Sequence, residues 1–403
     1  MTDIADRLED LRNSGLARGL RLVSGPQGPR VVLDGRPVLL LCSNNYLGLA
    51  DHPRVRETAA EAAMRWGVGA GASRLVSGNM QAHRRLEQRL AVFKGQEAAL
   101  LYGSGFLANT GVIASLARRG EVVFSDELNH ASIIDGCRLS RAEVFVYRHC
   151  DLEHLDWGLR QARGRGSLVV TDGVFSMDGD VAPLAELAEL TRRRDCRLMV
   201  DEAHATGAVG PRGRGAVAAA GVEEDVDVVV GTLGKALGCY GAYAAASREI
   251  VELLLNTSRP FIFSTAPPPP VVAAAEAALE LLEEEPHRVE RLQANASALR
   301  DSLGAEGMDV GASTTQIVPV AVGSAHETME LCEALLRRGV FAQGIRPPTV
   351  PEGASRLRLT AMATHRPAEL RRAAGILADC ARELGVAAPV PAAAEPAPLS
   401  EAA

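Results

Sequence analysis

Val226-Asp-Val-Val-Val-Gly-Thr-Leu-Gly-Lys-Ala-Leu-Gly238 is the stretch from which the rest of the chain can be read. Val226 to Val230 has the composition of a short buried strand, and Thr232 and Lys235 follow it in a glycine-punctuated turn. A lysine just past an apolar strand is held near the interior, where desolvation favours its neutral form. The neutral amine is the form that attacks an aldehyde to make a Schiff base. A P-loop is excluded, because Val229 stands where that motif needs its first glycine and Ala236 where Ser or Thr must follow the lysine. An isolated Gly-Lys pair more often marks a surface loop, so the reading depends on what the other strand ends carry.

Working outward, short apolar runs recur at similar intervals: Ala98–Tyr102, Glu121–Phe124, Glu143–Tyr147, Leu168–Thr171, Arg197–Val200 and Val226–Val230. Helical stretches separate several of them, one opening at Pro183 with Leu184, Leu187 and Leu190 on one side. Such alternation predicts an α/β fold with a mostly parallel central sheet and helices on both faces. Upstream, residues 3–20 have amphipathic helical spacing, and Val31–Leu33 with Val38–Cys42 predict a hairpin turning at Asp34-Gly35. Gly67 to Gly78 is a glycine-rich passage that can approach a ligand. Beyond Ser264-Thr-Ala-Pro-Pro-Pro-Pro270 the pattern changes to helices near 271–284 and 286–303, a strand at Gln316–Val322 and a helix at 326–338. Strands at Val340–Gln343 and Arg356–Thr360 and a helix at 367–384 complete a smaller α+β domain. The expected division is an N-terminal helix and hairpin (1–50), a large α/β domain (51–265), a small C-terminal domain (266–386) and a disordered tail (387–403).

In open α/β sheets, ligands bind beyond the carboxyl ends of the strands. Tyr102 leads into Gly103-Ser-Gly-Phe106 at the start of a predicted helix, a place where backbone N–H groups cradle phosphate. Phe124 leads to Asn129-His130, Thr171 to Asp172 and Ser176, Val200 to Asp201-Glu-Ala-His204, and Val230 to Thr232 and Lys235. Singly, each has a plain explanation: Asp201 as a helix cap, the histidines and Ser176 as loop residues. Together, on one rim, they are what pyridoxal 5′-phosphate (PLP) requires. The cofactor needs a lysine, a carboxylate facing its ring nitrogen, a ring stacked on its face and a phosphate cradle.

The motifs carrying these residues resemble those of the α-oxoamine synthase family of fold-type I PLP-dependent enzymes, over residues 3–385. They are Asn44-Asn-Tyr-Leu-Gly-Leu49, Tyr102-Gly-Ser-Gly-Phe106, Asn129-His-Ala-Ser132 and Asp172-Gly-Val-Phe-Ser-Met-Asp-Gly-Asp180. Asp201-Glu-Ala-His-Ala-Thr-Gly207, Thr232-Leu-Gly-Lys-Ala-Leu-Gly238 and Ile345-Arg-Pro-Pro-Thr-Val-Pro351 complete the set, the last pointing to the oxononanoate synthase branch. The resemblance implies that Lys235 binds PLP and moves the substrate α-proton, and that Asp201 pairs with the ring nitrogen. His204 and Ser176 would lie near the phenolate oxygen and His130 against the ring. Ser104, Gly105, Phe106 and Thr232 would surround the phosphate, joined by Ser264 and Thr265 across a homodimer interface. It further implies that Arg358, with Asn44, grips the amino-acid carboxylate, and that Arg21 (or Arg18) and Thr349 meet the acyl substrate. The implied reaction is a decarboxylative condensation of L-alanine with a pimeloyl thioester. Glycine C-acetyltransferase is the nearest alternative. An aminotransferase, or a PLP-binding protein without catalysis, belongs to another class. Cys239-Tyr240 and Gly69-Ala-Gly-Ala-Ser73 depart from the small or serine-rich residues common in relatives and bear on the acyl chain.

Composition fits this reading. At 403 residues, with 47% hydrophobic and 23% charged residues, the chain is long enough for two cores. A net charge of −7 gives no sign of a nucleic-acid or anionic-membrane partner. The seven cysteines are scattered without a C-x-x-C pair and the nine histidines without H-x-x-x-H, so no metal site is expected and free thiols in the cytoplasm are.

Overall fold

The computed structural model describes residues 3–14 and 16–386; the tail expected at 387–403 lies outside the described residues. Among the described residues, seven strands form the central sheet: β1 (Ala98–Tyr102), β2 (Val122–Asp126), β3 (Glu143–Tyr147), β4 (Ser167–Asp172), β5 (Arg197–Asp201), β6 (Val228–Thr232) and β7 (Ala242–Ala246). Their spatial order is β1-β7-β6-β5-β4-β2-β3. Strands β2 to β6 pair in parallel, and β7 runs antiparallel between β6 and β1.

Both faces of the sheet are covered, as the unbroken apolar runs require. Alternation along β6 sends Val228 and Val230 into one core with the helix Gly105–Leu116, while Val229 joins another with the helix Leu184–Arg194. Strand β7 was not expected from sequence. Its residues, Ala-Tyr-Ala-Ala-Ala, carry little strand preference, and the slot between β1 and β6 fixes them. The observed strands also run further than the apolar runs, so Asp126, Asp172, Asp201 and Thr232 are final strand residues rather than loop residues. Asp172 stands directly opposite Asp201 in the parallel register.

The N-terminal helix is shorter than its periodicity predicts, spanning Ile4–Asn13. Ser14 ends it, its hydroxyl donating to the Asp10 carbonyl at 2.7 Å. The hairpin forms as expected, Arg30–Leu33 against Arg36–Leu40, with Asp34 (φ 46) and Gly35 (φ 80) in the turn. Val340–Phe341 adds to it in parallel. The C-terminal sheet contains β8 (Ile317–Gly323), β9 (Gln343–Ile345) and β10 (Ser355–Thr360), all antiparallel with β10 in the middle. The single strand expected at Val340–Gln343 is therefore split between two sheets at Ala342. Helices His287–Ala305, Ala325–Arg337 and Pro367–Glu383 cover this part, in a core shared with Leu39 and Leu41. No described helix is long and apolar enough to cross a membrane.

Candidate active site

After Thr232 the chain turns back through residues 233–241 to enter β7. Leu233 N–H donates to Gly241 O at 2.9 Å and Cys239 N–H to Leu233 O at 2.8 Å, which closes the turn tightly. Gly238 has φ 65, and a Cβ there would lie 2.3 Å from the Ala50 nitrogen, so the close approach of this turn to the Leu49-Ala50 segment requires glycine. The turn carries Lys235 over the carboxyl edge of the sheet, with Nζ 2.8 Å from His204 Nε2.

A cavity of about 190 Å³ opens at this edge, and Gly105, Phe106, His130, Asp201, His204, Thr232 and Lys235 all line it. Ser104 caps the helix Gly105–Leu116, its hydroxyl accepting from Leu107 N–H at 3.2 Å. The helix thus points its N-terminus at the cavity, the end that favours anions. Thr232 Oγ1 takes the Gly234 N–H at 3.1 Å. Asp201 is buried at the end of β5. Its Oδ2 accepts from Asn109 Nδ2 at 2.6 Å and its Oδ1 from Ala203 N–H at 2.8 Å.

Burial drives the titration of the groups around the cavity. It pushes Lys235 down to about 8, against Asp201 and Asp172, which raise it, and together with Arg358, which lowers it further. It also takes His204 well below its ordinary value, with Lys235 and Arg358 adding to the effect. The His130 imidazole is lowered by burial too, although Asp201 opposes this. Asp172 is raised well above the usual carboxylate range by burial and by the neighbouring Asp201 charge.

A second cluster adjoins the cavity. Arg358, from β10, donates through Nε to the Ser176 carbonyl, and its NH1 lies 3.4 Å from Asn44 Oδ1. Its NH2 lies 3.4 Å from the hydroxyl of Tyr46, which is itself 2.7 Å from His204 Nδ1.

The sequence matches the aminotransferase class I and II family over residues 36–377. It is 54% identical over 389 residues to the 8-amino-7-oxononanoate synthase of Citrifermentans bemidjiense, covering 96% of this chain and 100% of that one. It is 55% identical over 386 residues to the enzyme of the same name from Geobacter sulfurreducens, covering 95% and 99%. The chain belongs to the 8-amino-7-oxononanoate synthase family. Among solved structures, it is similar to a serine palmitoyltransferase from S. paucimobilis with a bound PLP–myriocin aldimine. That match has a TM-score of 0.91 at 34% identity and covers 95% of this chain and 98% of the other. The 8-amino-7-oxononanoate synthase from Francisella tularensis superimposes with a TM-score of 0.75 at 26% identity, covering 86% and 98%.

The donor set of this oxononanoate synthase family member fits PLP. Asp201 keeps lone pairs free toward the cavity after its two hydrogen bonds, as a partner for a protonated ring nitrogen must. Lys235, a helix N-terminus and the Thr232 hydroxyl share the same cavity wall. Other residues singled out from sequence lie elsewhere in the chain. Arg21 pairs with Asp34 at 3.5 Å and with Glu333. Thr349 is exposed, its N–H donating to Arg346 O at 3.1 Å. Thr265 is exposed and bridges to Ser73, and Ser264 beside it is half-buried. Sequence reasoning gave no role to Asn109, Ser132, Asp172 and Ala203 on the cavity wall, or to Tyr46 and Gln316 behind it.

Proposed function

We propose that this chain condenses L-alanine with a pimeloyl thioester, releasing CO2 and the free thiol and forming 8-amino-7-oxononanoate. PLP, when bound, supplies an electron sink for negative charge developing at the amino-acid α-carbon. Lys235 holds the cofactor and moves the α-proton, a task suited to an amine pushed down to about 8. Asp201 would hold the ring nitrogen, its carboxylate plane fixed by the Asn109 hydrogen bond. His130 would lie against the ring, and His204 with Ser176 would sit on its phenolate side. Ser104, Gly105, Phe106 and Thr232 would receive the phosphate, joined in a homodimer by Ser264 and Thr265 from across the interface. Arg358 and Asn44 clamp the amino-acid carboxylate, which aligns the Cα–H bond for removal. Arg21 and Thr349 meet the acyl donor.

The single observation that carries this reading is the convergence of Lys235, Asp201, His204 and His130 on one cavity beside the Arg358 cluster. The names of the relatives support the choice of substrates. The test is thiol release by the PLP-loaded protein, crossing pimeloyl-CoA and acetyl-CoA with L-alanine and glycine. Release with pimeloyl-CoA and L-alanine alone is the expected result. Release with acetyl-CoA and glycine would move the activity to the C-acetyltransferase. No release from any pair would overturn both.

A further inference from the structure

Tyr46 is fully buried, yet its hydroxyl faces four polar side chains, Gln316 among them. His204 Nδ1 is 2.7 Å away, Asn44 Oδ1 3.1 Å and Arg358 NH2 3.4 Å. A phenol can donate one hydrogen bond and accept two. Asn44 Oδ1 can only accept, so the phenol gives its proton there, and His204 Nδ1 must carry its own proton to pair with the same oxygen. With its proton on Nδ1, His204 presents the Nε2 lone pair to Lys235 Nζ, 2.8 Å away. Burial raises the phenol's pKa, so the hydroxyl keeps its proton throughout the working range. The imidazole is neutral for the reason given above, and one oxygen thereby selects its tautomer. The His204 backbone is held as well, its carbonyl accepting from Gln316 Nε2 at 2.8 Å.

We propose that Tyr46 is a positioning residue whose hydroxyl sets Arg358 and His204 relative to each other, coupling the carboxylate clamp to the lysine that moves the α-proton. This rests on the function proposed above. It adds that the two halves of the amino-acid site are registered through one side chain from the Asn44-Asn-Tyr46 segment.

The test is Tyr46→Phe, which keeps the ring and its packing, in the PLP-loaded protein. L-alanine binding is followed through the change in cofactor absorbance, which needs no acyl donor. Loss of one hydrogen bond to a charged partner is expected to weaken L-alanine binding about tenfold. The KM for the thioester is expected to stay at its wild-type value, whereas the absorbance of the resting cofactor should shift, because His204 loses the partner that selects its tautomer. A merely structural role would instead weaken both substrates by the same factor and leave the cofactor absorbance unchanged, and that result would overturn the proposal. Unchanged L-alanine binding by Tyr46→Phe would also overturn it while leaving the proposed function intact. Failure of the wild-type protein to bind L-alanine would sink the proposed function and this inference with it.

Discussion

Lys235 is balanced between opposing influences. Burial and Arg358 lower its pKa, while Asp201 and Asp172 raise it, and the outcome is about 8. Because only the neutral amine captures an aldehyde, the rate at which the cofactor-free protein captures PLP should rise with pH and level off above that value. Arg358 lowers the lysine pKa, so removing its charge must raise it. Arg358→Gln is therefore expected to shift the midpoint of the capture-rate profile to higher pH than in the wild type, with both profiles measured by absorbance in the same buffers. A shift to lower pH, or no shift, would mean that Arg358 does not reach Lys235 electrostatically. His204, 2.8 Å from Nζ, is unsuited to a compensating positive charge because burial keeps it neutral.

Strand β7 shows what short elements owe to their neighbours. Ala242-Tyr-Ala-Ala-Ala246 favours a helix by intrinsic propensity, yet it pairs along its whole length with β1 and β6. Small side chains there let helices approach from both faces, and the one large residue, Tyr243, lies over Gly231 of β6. A Cβ at Gly231 would fall 2.3 Å from the Tyr243 hydroxyl and 2.4 Å from the ring carbon bearing it. Because the ring is fully buried, it has no room to swing away. Gly231→Ala is expected to destabilise the protein by ~1–3 kcal/mol through overpacking, read as a lower denaturation midpoint with an unchanged slope. An equal midpoint would show that the sheet can open here without cost.

The same contrast marks what was legible in advance. The valine-rich strands, the terminal Asp201 and Lys235 just past β6 were readable because an apolar run followed by a polar residue is a local signal. Asn109, Ser132 and Tyr46 were not, because they enter the site only through the folding of separate segments onto one edge. A helix-interior asparagine or a motif tyrosine looks ordinary until its partner is known. The length of the N-terminal helix was overread for a related reason: apolar spacing continued past Ser14, while a side-chain hydrogen bond ended the helix.

At the scale of the whole molecule, the loop between β4 and the helix at Leu184–Arg194 is held from two sides, and this holds the large sheet to the C-terminal one. From the C-terminal side, Arg358 reaches Ser176 O, Arg356 pairs with Asp178, and Thr315 Oγ1 donates to Gly179 O at 2.8 Å. From the opposite side, His149 bridges Asp126 at 2.9 Å through Nδ1 and Asp180 at 2.8 Å through Nε2. Its ring also meets Phe175 edge-on at 4.4 Å. Burial lowers the His149 pKa, but the two carboxylates outweigh it and raise the group from 6.5 to about 12. A histidine raised on folding contributes its full stabilisation below its unfolded pKa and loses it as pH rises toward the folded one. The window for His149 therefore runs from 6.5 to about 12. His149→Gln removes the charge between two carboxylates and is expected to cost roughly 3 kcal/mol near pH 6. The gap in stability between wild type and variant should then narrow steadily as unfolding is repeated at increasing pH up to about 10. A gap that stays constant with pH would assign the loss to packing against Phe175 rather than to the charge. A gap that widens would contradict the direction of the shift, and with it the view that a protonated His149 ties the loop carrying Ser176 to the end of β2.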